Sequence, residues 1–191
     1  GTKTVLMFYT ITRHTPIQVD NDHHVATVGS DYAKSQTRVC VRRSEDGGRA
    51  FDHGEELPWQ LIASEKELPG GGLYGVLSDL LQLQTGRIVM AFYFLDPVLS
   101  DRFRYQHFTG VCLLSDDRGQ TWKRSGEITA DTQRGVMECQ IVETGPNKLL
   151  CLFRTKSGYI YQSNSEDAGQ TWCKSAPSSL PSPESMPRMI K

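Results

Sequence analysis

Carboxylates, guanidiniums and thiols are the side chains in this sequence whose type and placement could do chemistry. Glu138 stands at the head of one apolar run, and Arg154 closes the next, Leu149-Leu150-Cys151-Leu152-Phe153. Arg13 ends an earlier run, Asp79 lies near the start of another, and Asp20, Asp22 and Asp31 crowd one irregular stretch. Carboxylates can give or take protons at a reacting centre, and a guanidinium can bind a carboxylate through two parallel hydrogen bonds. Taken singly, each of these positions also suits an ordinary solvated charge, which is where Asp, Glu and Arg usually sit.

Other chemistries are poorly served. Five cysteines lie at 40, 112, 139, 151 and 173, an odd number without C-x-x-C spacing, so neither a disulfide framework nor a zinc knuckle is expected. Four of them fall inside apolar segments and read as buried thiols, which favours a reducing compartment and an intracellular setting. His23 and His24 are adjacent, so their side chains diverge, and no metal site or cofactor is predicted. There is no phosphate loop, no Ser-His-Asp order and no basic aromatic stripe.

The 21 basic and 22 acidic residues give a net charge of −1, which excludes a simple electrostatic nucleic-acid binder. With 38% apolar and 23% charged residues the chain reads as an ordinary globular protein. Its longest apolar runs, such as 88–95, suit a buried strand and fall well short of a membrane span. Gly1-Thr2-Lys3 starts no signal peptide, and the compartment stays open.

Internal repeats supply the elements that must position the charged residues. Ser115-Asp116-Asp117-Arg118-Gly119-Gln120-Thr121-Trp122 and Ser165-Glu166-Asp167-Ala168-Gly169-Gln170-Thr171-Trp172 share S-x-D-x-G-x-T-W. Ser44-Glu45-Asp46-Gly47-Gly48-Arg49-Ala50-Phe51 is a looser third copy. Five fixed positions coincide by chance on the order of 10⁻⁷ per start site. The octet is a turn device: Ser and Asp oxygens accept nearby backbone N–H groups, Gly supplies a positive φ, and the aromatic residue anchors the following strand. Asp46, Asp117 and Asp167 are therefore structural, and Trp122 and Trp172 are expected to be largely buried.

Each octet follows a short β-rich stretch, 38–43, 110–114 and 158–164, itself preceded by a hydrophobic one, 4–10, 87–94 and 148–154. A further strand, 77–83 and 138–143, precedes the second and third sets, and helical periodicity is nearly absent. Four short strands per unit with a turn motif at a fixed place describe a β-propeller blade. The fold expected is all-β, a propeller of four-stranded antiparallel blades, with about three blades present. The units are 1–76, 77–135 and 136–183, with 184–191 starting another, and the first lacks its innermost strand. The octets are 71 and 50 residues apart, so the first gap holds an insertion, for which 58–75 with its Pro69-Gly70-Gly71-Gly72 is the candidate.

At this point the chain resembles the sialidase (neuraminidase) superfamily, whose Asp boxes the octets match. The resemblance is most specific at Gly135-Val136-Met137-Glu138-Cys139-Gln140-Ile141-Val142-Glu143, at Leu152-Phe153-Arg154-Thr155 and at Tyr159-Ile160-Tyr161-Gln162-Ser163. The stretch 177–183 also resembles the linker of bacterial sialidase-like proteins. The resemblance implies a six-bladed propeller when complete, and an exo-glycosidase that removes terminal sialic acid or a related acidic sugar from glycans.

Sialic acid carries a carboxylate on its anomeric carbon, so its site needs clustered guanidiniums, and a carboxylate nucleophile gives way to a tyrosine. Glu138 matches the glutamate that takes the phenol proton, and Arg154 one member of the arginine triad. Asp31, in preference to Asp20 or Asp22, matches the acid/base on a loop of the first blade. Arg13 resembles a further substrate-contacting arginine, and Asp79 is a further site candidate.

The family pattern would put one triad arginine before Gly1, and the third arginine and the nucleophilic tyrosine beyond Lys191. None of the seven tyrosines here matches that nucleophile. The chain by itself is therefore expected to be an incomplete, inactive part whose cut ends need self-association or missing blades to cover them. Two other readings stay open: a non-catalytic Asp-box propeller that binds glycan or protein, and a half-propeller completed by another chain. An acidic glycan is the expected partner, with no nucleic acid and no membrane.

Overall fold

The computed structural model describes residues 4–13, 36–64, 66–68, 73–103 and 106–189. Their strands form three antiparallel sheets, each a meander in which chain neighbours pair. The first holds β1 (Val5–Arg13), β2 (Gln36–Ser44) and β3 (Glu55–Leu57). The second holds β4 (Gly75–Gln82), β5 (Ile88–Leu95), β6 (Phe108–Ser115) and β7 (Lys123–Arg124). The third holds β8 (Met137–Gly145), β9 (Lys148–Arg154), β10 (Tyr159–Ser165) and β11 (Ala176–Pro181). These three antiparallel sheets match the blades expected from the repeats. The box serines close β2, β6 and β10 opposite Val5, Ile88 and Leu149, so β1 corresponds to β5 and β9, the second strands of the other two sheets.

The cores lie between sheets. β5 is buried along nearly its whole length, as its β-branched and aromatic run requires of a strand covered on both faces. Met90, Phe92 and Phe94 point toward the first sheet and meet Val39, Val41 and Trp122. Val89 and Ala91, displaced by one residue, point toward the third sheet and meet Cys139, Ile141, Cys151 and Phe153. Cys40, Cys112, Cys139 and Cys151 are buried and Cys173 is exposed.

Each octet closes the same network. The serine Oγ donates to the aspartate Oδ1 at 2.7–2.8 Å and accepts the glycine N–H, and the same Oδ1 accepts the N–H four residues on. Thr121 and Thr171 add hydroxyl bonds of 2.6 Å to Oδ2. These bonds hold all three carboxyls below the usual carboxylate range, in Asp167 against the opposing pull of burial.

The structure departs from the sequence reading in three places. The β5–β6 connection contains a helix, α1 (Pro97–Phe103), whose start is marked by Asp96 at the N-cap, accepting the Leu99 N–H at 2.9 Å, and by Pro97 in the first turn. The candidate insertion is in good part core: Ile62 and Ala63 are fully buried, and a 3₁₀ turn spans Trp59–Leu61. Arg124 of β7 ties it down by donating to the Ile62 carbonyl at 2.8 Å and to Glu67 Oε1 at 2.5 Å. Trp122 is buried at 8% exposure, edge-on to Phe8 at 5.3 Å, but Trp172 is only half-buried. No described helix is long and apolar enough to cross a membrane.

Candidate functional site

Strand register fixes where Glu138 and Arg154 lie. Arg154 pairs with Met137 at one end of β9, while Leu149 near the other end pairs with the box serine Ser165. Five residues of strand, about 16 Å, separate Arg154 from the Asp-box end of its sheet. Glu138 follows Met137 inside a bulge, with one extra residue between Met137 and Gln140, and adopts φ +54°. A left-handed glutamate costs on the order of 1 kcal/mol, and such outliers persist only where their surroundings enforce them.

The surroundings do so here. Gly135, at φ +64°, runs so close to β6 that a Cβ would overlap the Phe108 carbonyl oxygen and meet His107 Cε1 at 2.5 Å. The contact is fastened by Phe108 N–H to the Arg134 carbonyl at 3.0 Å and Val136 N–H to the Phe108 carbonyl at 2.9 Å. Arg134 and Glu138 are thus delivered to the same end of the sheets from either side of one stitched segment.

Four charged side chains meet there. Arg154 Nη1 donates to Glu138 Oε1 at 2.9 Å, and its Nη2 to Glu184 Oε1 at 3.4 Å. Arg134 Nη1 donates to the same Glu184 oxygen at 3.3 Å, and its guanidinium lies 5.6 Å from the Phe108 ring centre. All four side chains are 20–30% exposed, enough for a ligand to reach them and too little for bulk water to screen them fully. Glu138 Oε2 and Arg154 Nε are buried without a hydrogen-bond partner among the described residues. Tyr93 lies beside them on β5, its phenol pushed up to about 12, first by burial and then by the negative charge of Glu138. It therefore stays protonated at neutral pH. Such a cluster can bind an anion through guanidiniums and can accept a proton at the free Glu138 oxygen.

The other sequence candidates are placed differently. Asp79 gives one carboxylate oxygen to the Ile141 N–H at 2.8 Å and the other to the Leu80 N–H at 2.9 Å. It fastens β4 to β8, with both oxygens committed to backbone, and does not join the cluster. Arg13 closes β1 at the equivalent end of its own sheet, exposed and opposite Gln36, and among the described residues no ion pair joins it to Glu138 or Glu184. Asp31, with Asp20 and Asp22, lies outside the described residues.

Sequence reasoning missed Arg134, Glu184 and Tyr93. Aligning the repeats on their box serines would have found Tyr93, since it and Arg154 each lie five residues along from the partner of that serine. The Arg134-Gly135 pair just before Glu138 carried a signal for Arg134, because a glycine there marks a close backbone approach. Glu184, in a segment without strand pairing, carried none.

Comparison with known proteins follows this geometry. Among solved structures the chain resembles the NanB sialidase of Streptococcus pneumoniae at 26% identity and TM-score 0.56, covering 75% of this chain and 19% of that one. It resembles the intramolecular trans-sialidase of Ruminococcus gnavus at 24% identity and TM-score 0.54, covering 75% of this chain and 27% of that one. Trypanosoma rangeli sialidase shares 18% identity at TM-score 0.55, covering 88% of this chain and 26% of that one. The chain thus spans about a fifth to a quarter of these proteins, and the last two likenesses concern the fold alone. No curated protein matches the chain. The BNR repeat-like domain family matches residues 4–190, and the chain belongs to that family, with the sialidase-like, Asp-box blades its repeats encode.

Proposed function

We propose that the Glu138–Arg154 end of the sheets is part of a sialidase-type exo-glycosidase site for terminal sialic acid or a related acidic sugar. The observation that carries this reading is the ion pair itself: a strained, bulged glutamate and a strand-end arginine, 2.9 Å apart, at the end of the blade away from the Asp boxes. In this reading Arg154 holds the substrate carboxylate, and Glu138 accepts a proton from a tyrosine nucleophile. The likeness to NanB supports it, and so does the ligand in that complex, an ammonio-ethanesulfonate that carries an anionic sulfonate group.

The described residues do not supply the whole of that chemistry. Tyr93 is beside Glu138, its phenol kept protonated first by burial and then by the neighbouring carboxylate, but it does not match the position of the family's nucleophilic tyrosine. Two guanidiniums also share two carboxylates already. The 191-residue chain should therefore bind sialosides weakly through Arg154 and turn over none. The test is titration of the chain with a fluorogenic sialoside, following both binding and fluorophore release. Arg154→Met binding as tightly as the parent chain would defeat the site assignment. Fluorophore release that vanishes in Glu138→Gln would overturn the claim of inactivity and identify a nucleophile within this chain.

A further inference from the structure

We propose that Asp79 is a positioning residue for Glu138: from the neighbouring blade it holds the far end of the bulge that aims Glu138 at Arg154. The inference rests on the reading of Glu138 as a proton acceptor in an acidic-sugar site, and it gives Asp79 no contact with the ligand.

Glu138 sits between two fixed points. Two residues before it, the Val136 N–H donates to the Phe108 carbonyl at 2.9 Å and ties the segment to β6. Three residues after it, the Ile141 N–H donates to Asp79 Oδ2 at 2.8 Å and ties β8 to β4. Between these ties β8 carries one residue more than β9 opposes, and within that bulge Glu138 takes a left-handed backbone, φ +54°. A bulge interrupts its own ladder, so its ends must be fastened by something outside the strand pair. A left-handed L-residue relaxes toward extended backbone unless both sides of it are held.

The Asp79 tie is rigid in three ways. Its other oxygen, Oδ1, accepts the Leu80 N–H at 2.9 Å, so the carboxylate cannot swing away. A bulge in β4, between Leu77 and Asp79, sets where Asp79 falls along that strand. A return bond runs the other way: Gln140, only 1% exposed, donates its Nε2 to the Ser78 carbonyl at 3.3 Å and to its own Cys139 carbonyl at 3.1 Å. β4 and β8 each end their sheet, so side chains and not a ladder join them. Ser78-Asp79 and Gln140-Ile141 are bonded reciprocally, which stops β8 from sliding along β4 in either direction.

Without Asp79 the Ile141 N–H loses its acceptor, and the bulge can flatten or migrate. A shift of one residue in a strand reverses which face each side chain takes, which would carry Glu138 away from Arg154. An asparagine at 79 still offers an amide oxygen to the Ile141 N–H and should keep the aim; an alanine should not.

The experiment reads Glu138 by NMR in the full chain, through two signatures that general loosening does not move. One is the left-handed backbone, reported by the α- and β-carbon chemical shifts of Glu138. The other is the Nη1 proton signal of Arg154, identified as the one that disappears in Glu138→Ala. Asp79→Ala is expected to lose both, and Asp79→Asn to retain both. Asp79→Ser, whose hydroxyl is too short to reach Ile141, replaces the alanine variant if that one does not fold, with the amide spectrum as the check. Arg87→Met is the control: it removes an inter-blade bond at the Asp-box end, where Arg87 donates to the Ala168 carbonyl at 3.2 Å, and should leave both signatures in place. Either signature surviving in Asp79→Ala, or lost in Asp79→Asn or in Arg87→Met, overturns the proposal. The sugar reading fails separately: a parent chain that binds no sialoside while the Asp79 variants behave as expected defeats that reading and keeps the positioning role. Arg154-dependent sialoside binding with unmoved signatures in Asp79→Ala does the reverse.

Discussion

Gly135→Ala tests whether the stitched segment before Glu138 is as tight as its geometry requires. Two terms add. An alanine at φ +64° costs about 1 kcal/mol relative to glycine, the ordinary expense of a left-handed L-residue. The new methyl would also overlap the Phe108 oxygen and sit 2.5 Å from His107 Cε1, where about 3.5 Å is comfortable. Relief requires a backbone shift of roughly 1 Å, which strains the Phe108–Arg134 and Val136–Phe108 backbone bonds, each worth about 1 kcal/mol. The expected loss is about 3–4 kcal/mol. Gly86→Ala is the internal control: its φ is +90°, but nothing lies within 4 Å of where its methyl would sit, so only the conformational term of about 1 kcal/mol applies. Urea melts with equal slopes read the difference directly. Losses within about 1 kcal/mol of each other would mean that β6 yields freely, and that nothing rigid holds Arg134 and Glu138 in place.

Two further outcomes follow from the packing and the charges. Trp122→Ala should cost about 3–5 kcal/mol, and Trp172→Ala about half as much, because only the first indole is buried; equal losses in denaturant melts would contradict that difference. Burial works to raise the Glu67 carboxyl, yet its hydrogen bonds with Glu127 and Ser64 and the Arg124 charge bring it from 4.5 down to about 2. A depressed carboxyl contributes stability that is complete above its unfolded value and is lost as pH falls through the folded one. The parent should therefore lose stability between pH 4.5 and about 2 more steeply than Glu67→Gln, and parallel acid limbs would refute the assignment.

The fold was legible because its signals are local and repeated. An octet whose serine and aspartate side chains bond within the octet declares a hairpin wherever it occurs, and three copies in phase declare blades. The same locality hid α1: about two turns of helix show little periodicity, and only the Asp96-Pro97 cap announced it. Trp172 was misjudged because the motif fixes its place in the turn but not what covers it. At the site, Glu138 and Arg154 could be named from their resemblance to sialidases. Their partners could not, because Arg134 and Glu184 lie 50 residues apart and meet through tertiary packing alone. Asp79 shows the converse: near the right strand end, it spends its carboxylate on the Ile141 N–H of the next blade.

Register explains why an ion pair forms at this strand end in the third blade and not in the second. Both inner strands carry a bulge at the same height: three residues separate Val76 from Asp79 where β5 advances two, and three separate Met137 from Gln140 where β9 advances two. In this register Leu77 corresponds to Glu138, Asp79 to Gln140, and Tyr93 to Arg154. Asp79 and Gln140 do the same kind of work, each reaching the backbone of the other's strand, Asp79 to the Ile141 N–H and Gln140 to the Ser78 carbonyl. The bulge is thus a device of the repeat, and the polar residue behind it locks blade to blade. What differs is the residue that follows Val76 in one strand and Met137 in the other, a leucine packed against the core and a glutamate. Leucine in the second blade needs no partner, and its backbone stays out of the left-handed region. Glutamate in the third is left-handed, pairs with the arginine that replaces Tyr93, and keeps one oxygen unbonded. The scaffold supplies the same bulge twice; two differences in register terms, Leu to Glu and Tyr to Arg, give one copy the strand-end ion pair.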